Sequence, residues 1–283
     1  MSKIVVITGC SAGLGIAIAV QAAQKGHRVY ATMRDTSKRA ALDEAAAAAK
    51  VAVEVLPLDV ADTASVNDCL EKIFAKEGRV DVLVNNAGSG FVRSTEQASE
   101  EDIAWIMNVN FMGVVRTTKA VIGHMREARS GHIINISSVG GLVGQPFNEV
   151  YCASKFAVEG YTESLACYVQ PSFGIHFTCV EPGGIRSEFA NAALAHVQAT
   201  GGMLEDEYLP LIQKYIGGAQ ARGDSAYQSC DEVAAVVIAC MEANNPPVRT
   251  RTSEWSERFC ALKTAADPDG LLLQKQVYDT FLA

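Results

Sequence analysis

Tyr151 and Lys155 stand four positions apart, and Ser138 precedes the tyrosine by thirteen. On a helix, positions i and i+4 share a face, so phenol and ammonium can address one site. A tyrosine at its unperturbed pKa of about 10 is a poor base at neutral pH, and a nearby cation favours its anion. Such a tyrosine can take a proton from an alcohol or return one to a carbonyl. The Ser138 hydroxyl is placed to hold and polarise the reacting oxygen. A tyrosine and a lysine on one helix are more often packing or surface, so the pair needs support from the rest of the chain.

A second candidate lies at the start. Gly9-Cys10-Ser11-Ala12-Gly13 satisfies G-x-S-x-G, the turn that lifts a nucleophilic serine above a hydrolase sheet. Gly15 completes a different pattern, Thr8-Gly9-x-x-x-Gly13-x-Gly15, a glycine-rich turn that lets backbone approach a dinucleotide pyrophosphate. A hydrolase needs an acid and then a histidine further along the chain. The histidines are at 27, 124, 132, 176 and 196, and two of them, His132 and His176, begin expected strands, away from an active edge. The dinucleotide reading has its context: the glycines follow a strand at 4–8 and open a helix, so N–H groups and the helix dipole face the phosphates. Ser11 is then a phosphate neighbour and no nucleophile.

The end of the second strand supports this reading and sharpens it. An acidic residue there would bind a ribose 2′-hydroxyl. Met33 occupies that position, and Arg34 follows it. An arginine pairs with a 2′-phosphate and stacks on adenine, which favours NADP(H) over NAD(H). The plainer alternative is an ion pair between Arg34 and Asp35 or another surface carboxylate. Asp59, after the third strand, is placed to accept from the adenine amino group, whereas Asp62 reads as a helix N-cap. Asn85-Asn86-Ala87-Gly88, after the fourth strand, can bind backbone and border the cofactor.

These residues need elements to hold them. Short β-branched runs at 4–8, 28–33, 51–58, 80–85, 132–137 and 175–181 alternate with helical stretches near 14–25, 38–49, 63–76, 100–126, 150–169 and 231–243. That alternation predicts βαβ units. Strands apolar on both faces need helices on both sides. The fold class is therefore α/β: one doubly wound, Rossmann-type domain over 1–283, with a mostly parallel sheet flanked by helices. Residues 186–228 break the rhythm with small residues and the pairs Gly201-Gly202 and Gly217-Gly218. A long insertion with glycine hinges predicts a flexible substrate lid rather than a variable surface loop.

The bulk properties exclude several classes. A formal charge of −8 and a pI near 5.2 argue against a nucleic-acid surface or an anionic-membrane surface. No run reaches the length of a membrane span. The eight cysteines contain no C-x-x-C pair, and several sit in apolar periodic segments. This predicts a cytoplasmic protein without disulfides and with no metal site.

The motifs TGCSAGLG, LDV, NNAG, MNVNFMG, INISS, YCASK and EPGGIRS stand in the order and spacing of one family. The chain resembles the short-chain dehydrogenase/reductase family over nearly its whole length. The resemblance implies a catalytic tetrad of Asn110, Ser138, Tyr151 and Lys155. In it the lysine also binds the nicotinamide ribose, and the asparagine positions a water in a proton relay. It implies cofactor contacts along Thr8, Gly9, Ser11, Gly13, Leu14 and Gly15, then Arg34, Asp59 and Val60, and then Asn86, Ala87 and Gly88. Further contacts are implied at Lys155, Pro182, Gly183, Ile185 and Ser187, the last replacing the family's threonine with its hydroxyl kept. It also implies a homodimer or homotetramer packed through the helices near 100–126 and 150–169.

The run from Gly144 to Gly160 and the tail around 247–270 are similar to the branch of type 1 17β-hydroxysteroid dehydrogenases and photoreceptor retinol dehydrogenases. This points to a small apolar alcohol or ketone, steroid-like or aryl. Where that branch carries a histidine near the steroid ring hydroxyl, residues 209–215 here contain none. The expected activity is NADP(H)-preferring interconversion of a secondary alcohol and a ketone. NAD(H) use, a retinol-type primary alcohol and a catalytically idle dinucleotide sensor are the alternatives.

Overall fold

The structure, a computed structural model, describes residues 2–281, and for 219–226 the backbone alone. Seven strands form one sheet: β1 (Ile4–Ile7), β2 (Arg28–Met33), β3 (Glu54–Pro57), β4 (Val82–Asn85), β5 (Gly131–Ile136), β6 (Ile175–Glu181) and β9 (Arg249–Arg251). Their order is β3-β2-β1-β4-β5-β6-β9, and every neighbouring pair is parallel. Two short strands, β7 (Gly184–Arg186) and β8 (Tyr227–Ser229), pair separately.

Helices cover both faces because the strands are apolar on both. In β1, Val5 and Ile7 join a core with α1 (Leu14–Gln24) and α9 (Cys230–Glu242), through residues such as Ile18 and Val237. Ile4 and Val6 point the other way, into a core with α3 (Thr63–Glu77), α5 (Gly113–Ala128) and α6 (Glu149–Phe173), through Leu70, Val121 and Leu165. This is the strand period of two written into a parallel sheet. The strand order reverses between β1 and β4, the switch point outside which such folds bind ligands.

Residues 100–126 form two helices, not one. α4 (Glu100–Met107) ends in a π-helical turn, Asn108–Met112, before α5 begins. A single π turn inside a helix is a feature often retained at functional sites. The region expected as a glycine-hinged insertion is also mostly helical, with α7 (Phe189–Ala199) and α8 (Leu209–Ala226). Gly201 and Gly202 make the turn between them with φ of 103° and 76°, whereas Gly217 and Gly218 lie inside α8. α2 (Ala40–Ala49) packs on α1, and α10 (Glu254–Thr264) and α11 (Leu271–Phe281) close the chain around β9 and α6. Among the described residues no helix is long and apolar enough to cross a membrane.

Candidate active site

The C-terminal ends of β1, β4, β5 and β6 bring the expected residues to one edge of the sheet. Thr8 and Gly9 follow β1, and Thr8 Oγ1 accepts the backbone N–H groups of Asn86 and Ala87, both at 3.0 Å. Asn86 Nδ2 donates to the carbonyls of Thr8 and Gly9 at 2.9 and 3.0 Å. The NNAG segment after β4 thus braces the glycine turn. Asn85 instead faces inward: its Nδ2 donates to Asn135 Oδ1 at 2.8 Å.

Two glycines in this turn are required by space. Gly9 has φ +73°, and a Cβ there would lie 2.7 Å from the Ala87 Cα. A Cβ on Gly15 would lie 2.7 Å from Asn86 Nδ2. α1 begins at Leu14 with no side chain capping its first turn and no acidic residue in it. Its free N–H groups and dipole fit an anion. Ser187, from the segment after β6, reaches this turn: a Cβ on Gly13 would lie 3.4 Å from the Ser187 Cβ. Pro182 and Gly183 precede it at the end of β6, and Ile185 packs into the core on the α1 side. The chain's own cradle therefore fits a dinucleotide.

The opposite end of the cradle lies beyond β2 and β3. Leu58 N–H donates to the Met33 carbonyl at 3.0 Å, which sets Arg34 and Asp59 at adjacent strand ends. Asp35 does not neutralise Arg34 through an ion pair. Its carboxylate accepts from Ser37 N and Oγ at 3.0 and 2.7 Å, and this turn holds it below the usual carboxylate range. Arg34 is exposed and makes no hydrogen bond or ion pair among the described residues. Asp59 Oδ1 accepts the N–H of Ala61 at 2.9 Å, and Asp62 caps α3 through Ala64 N. Val60 is buried beneath Gly113, whose Cβ would lie 2.9 Å from it.

Ser138 follows β5, and α6 brings Tyr151 and Lys155 over it. Ser138 Oγ accepts the Gly140 N–H at 3.0 Å and lies beside the Tyr151 ring: a Cβ on Gly140 would lie 3.3 Å from both Ser138 Oγ and Tyr151 Cε1. Lys155 Nζ donates to the Ile136 carbonyl at 2.9 Å and lies 5.8 Å from the Tyr151 ring centroid. Asn110, fully buried, sits in the π turn. Its Oδ1 accepts from Ser89 N at 2.8 Å, while Nδ2 donates to Ser89 O at 2.9 Å and to Ser154 Oγ at 3.1 Å. Ser154 in turn donates to the Tyr151 carbonyl at 2.7 Å. Ser154 escaped the sequence reading, though its place three residues after Tyr151 puts it on the same side of the helix. Gly88 lies between Asn110 and Lys155, its Cβ position 3.4 and 3.7 Å from their polar atoms.

Burial is the largest effect on both titrating groups. It pushes the Tyr151 phenol up to about 12, with Ser138 pulling the other way. It pulls the Lys155 ammonium down to about 8, with Cys179 and Glu159 opposing. The expected lowering of the phenol by Lys155 is not what dominates here, because desolvation of a buried anion exceeds the effect of a cation across that distance.

The helices after β7 cover the site with aromatic and apolar groups. Phe189 lies 6.0 Å, ring to ring, from Tyr151, and a Cβ on Gly90 would meet it at 3.0 Å. Phe147 faces Tyr208 and Tyr215 at 6.5 and 6.1 Å. The same segment is fastened to α4 and to the chain just before it. His196 and Asp102 pair at 2.9 Å, and Gln97 donates to Asp206 at 2.8 Å.

The family model described as short chain dehydrogenase matches residues 3–198. The chain is 40% identical over 276 residues to retinol dehydrogenase 8 of Bos taurus, covering 95% of this chain and 87% of that protein. It is 38% identical over 275 residues to 17-beta-hydroxysteroid dehydrogenase type 1 of Homo sapiens, covering 94% and 82%. Its fold matches the crystal structure of a short-chain dehydrogenase from Streptomyces avermitilis with a TM-score of 0.78 and 30% identity, over 99% of this chain and 98% of that one.

Proposed function

The chain belongs to the short-chain dehydrogenase family and is an NAD(P)-dependent oxidoreductase of alcohols and ketones; we propose that it reduces a ketone on a bulky apolar substrate, with NADP(H) as its preferred cofactor. The observation that carries this reading is the convergence of Ser138, Tyr151 and Lys155 beside a glycine turn with an uncapped helix behind it. A bound nicotinamide dinucleotide supplies the hydride.

The chain's residues handle the proton and the oxygen. Ser138 Oγ accepts from Gly140, which leaves its own hydrogen free to donate to a substrate carbonyl. The Tyr151 phenol, held protonated by burial, donates to the same oxygen as the carbon is reduced. Lys155, fixed on the Ile136 carbonyl, keeps a positive charge near the phenolate that remains. Asn110, locked by Ser89 and Ser154, holds the π turn against the tyrosine helix. Gly9, Gly13, Leu14 and Gly15 would take the pyrophosphate and Ser187 the nicotinamide end. Arg34 would take a 2′-phosphate and Asp59 the adenine.

The aromatic cover of Phe147, Phe189, Tyr208 and Tyr215 supports an apolar substrate of ring size. The names of the two relatives, a retinol and a hydroxysteroid dehydrogenase, point to the same class. Association through α5 and α6 into a dimer or tetramer is supported by Met112, in the turn that leads into α5, and by Phe156 and Tyr168 of α6, which are 40%, 42% and 46% exposed.

Steady-state oxidation of NADPH and NADH against estrone, retinal and simple aryl ketones tests the reading. The expected outcome is turnover with NADPH preferred, reduced by about 10²–10⁴-fold in Tyr151→Phe, with dinucleotide binding retained. Full activity in Tyr151→Phe would remove the tyrosine from the chemistry.

A further inference from the structure

Behind the turn that carries Lys155, ionisable groups line one face of the sheet. β6 sets Cys179 and Glu181 on that face, and β9, in register, places Arg249 opposite Cys179 and Arg251 opposite Glu181. α6 lays Glu159 over them, one turn beyond Lys155. Glu181 is fully buried, and its Oε2 accepts from Arg251 Nη1 at 3.1 Å. Arg251 also donates from Nε to Glu257 of α10 at 3.0 Å. Arg249 has only longer contacts, 3.9 Å to Glu163 of α6 and 3.6 Å to Asp267. The remaining titratable group facing the cluster from α10 is Cys260.

The hydrogen bonds at the centre do not close. The Glu159 carboxyl has Ser137, Cys179 and Glu181 within reach, yet Glu159 Oε1, Glu181 Oε1, Ser137 Oγ and Arg249 Nε are buried with no completed hydrogen bond. Two ionised carboxylates facing each other are acceptors only, and burying them without donors is costly. Ser137 and Arg249 carry unpaired donors beside them, but only a proton held between the two carboxyl groups closes the contact of acid with acid, as in other close acid pairs. The electrostatics agree in direction: burial and the Glu159 charge push Glu181 up to about 9 against the pull of Arg251, and burial raises Glu159 as well.

We propose that Glu159 and Glu181 share one proton at neutral pH, and that the single negative charge they keep is the counter-ion of Lys155. Glu159 is then a positioning residue, acting through the lysine and not on substrate. The counter-ion role rests on the assignment of Tyr151 and Lys155 proposed above; the shared proton does not.

The sign follows from where the charge goes. Ketone reduction needs Tyr151 protonated and Lys155 charged, so activity falls as pH rises through the lysine value near 8. In Glu159→Gln, Glu181 loses its acidic neighbour, stays on Arg251 and ionises. The charge then sits on β6, away from the lysine turn, and the ammonium loses its support. In Glu181→Gln, the charge stays wholly on Glu159.

Infrared spectra in H2O and D2O read the proton directly. The wild-type protein should show a protonated-carboxyl stretch at neutral pH that shifts on deuteration and disappears toward pH 9. Both single variants should lack it. Its absence from the wild type, or its survival in either variant, overturns the shared proton, and the wild-type spectrum decides even where a variant fails to fold. The alkaline limb of kcat/KM for reduction should fall by about one unit in Glu159→Gln and should not fall in Glu181→Gln. An unmoved limb in Glu159→Gln, or equal downward shifts in both, overturns the counter-ion role. A band present in the wild type and lost in both single variants, together with a fully active Tyr151→Phe, would fault the catalytic assignment and leave the acid pair standing.

Discussion

Arg34 shows how one side chain can decide a cofactor. It stands exposed at the end of β2 while its neighbour Asp35 is occupied by Ser37. A charge-assisted hydrogen bond contributes about 1.5–3 kcal/mol, so Arg34→Ser should weaken NADPH about 10- to 150-fold and leave NADH nearly unchanged. KM values for the two cofactors measure this directly, and equal losses for both would deny Arg34 a 2′-phosphate. At this scale the sequence was informative wherever spacing implies a shared face, as for Tyr151 and Lys155. It was silent on Glu159, Glu181 and Arg251. Nothing in the sequence tells that residues this far apart meet behind one helix, because strand pairing, not helical spacing, brings β6 and β9 together. Nor could it weigh burial against Lys155 at the Tyr151 phenol, since that balance depends on depth.

The elements around the substrate side depend on Arg93. It is 4% exposed and has no carboxylate partner among the described residues. Its guanidinium instead donates to the carbonyls of Val197, Thr200 and Gly202 at 2.9–3.3 Å, at the C-terminal end of α7. A cation there satisfies unpaired carbonyls and opposes the negative end of the helix dipole. Arg93 N–H also donates to the carbonyl of Phe147, a bulky residue held at φ +61° against Tyr208 and Tyr215. Such a backbone costs about 1–3 kcal/mol and persists only where its surroundings hold it. Arg93→Met should therefore lower stability by about 1–3 kcal/mol and raise KM for the ketone more than it lowers kcat. Thermal scans and kinetics check this; an unchanged KM would detach the strap from the substrate side. The first six strands and the helices between them were legible because their apolar periods are long and regular. α7 and α8 were not, since paired glycines read as loop; Gly217 and Gly218 nonetheless lie inside α8, against their low helix propensity. β9, only three residues long, carries too little pattern to register.

At the scale of the molecule, the buried titrating groups set a pH optimum for stability. Glu181 keeps its proton up to about 9 when folded, against about 4.3 for an unfolded glutamate, so across that window the native state binds more protons and stability falls as pH rises. His132 is the reverse case: buried at the start of β5 against Thr178, it is held neutral down to about 3. Unfolded histidine takes a proton below about 6.5, so His132 removes stability as pH falls through that range. Lys155, lowered to about 8, gives back stability only above that value. Between about 4.3 and 6.5 the first two slopes oppose each other, and between about 6.5 and 8 the Glu181 slope stands unopposed by these groups. Thermal midpoints should therefore be highest on the acidic side of neutrality and decline toward pH 8. In Glu181→Gln that decline should flatten, because the group that releases the proton on unfolding is gone. A midpoint that rises from pH 6.5 to 8 in the wild-type protein would mean the acids are ionised inside the fold, with Arg249 and Arg251 neutralising both. The same observation would count against a shared proton behind Lys155, so stability and catalysis report on one buried charge arrangement from two directions.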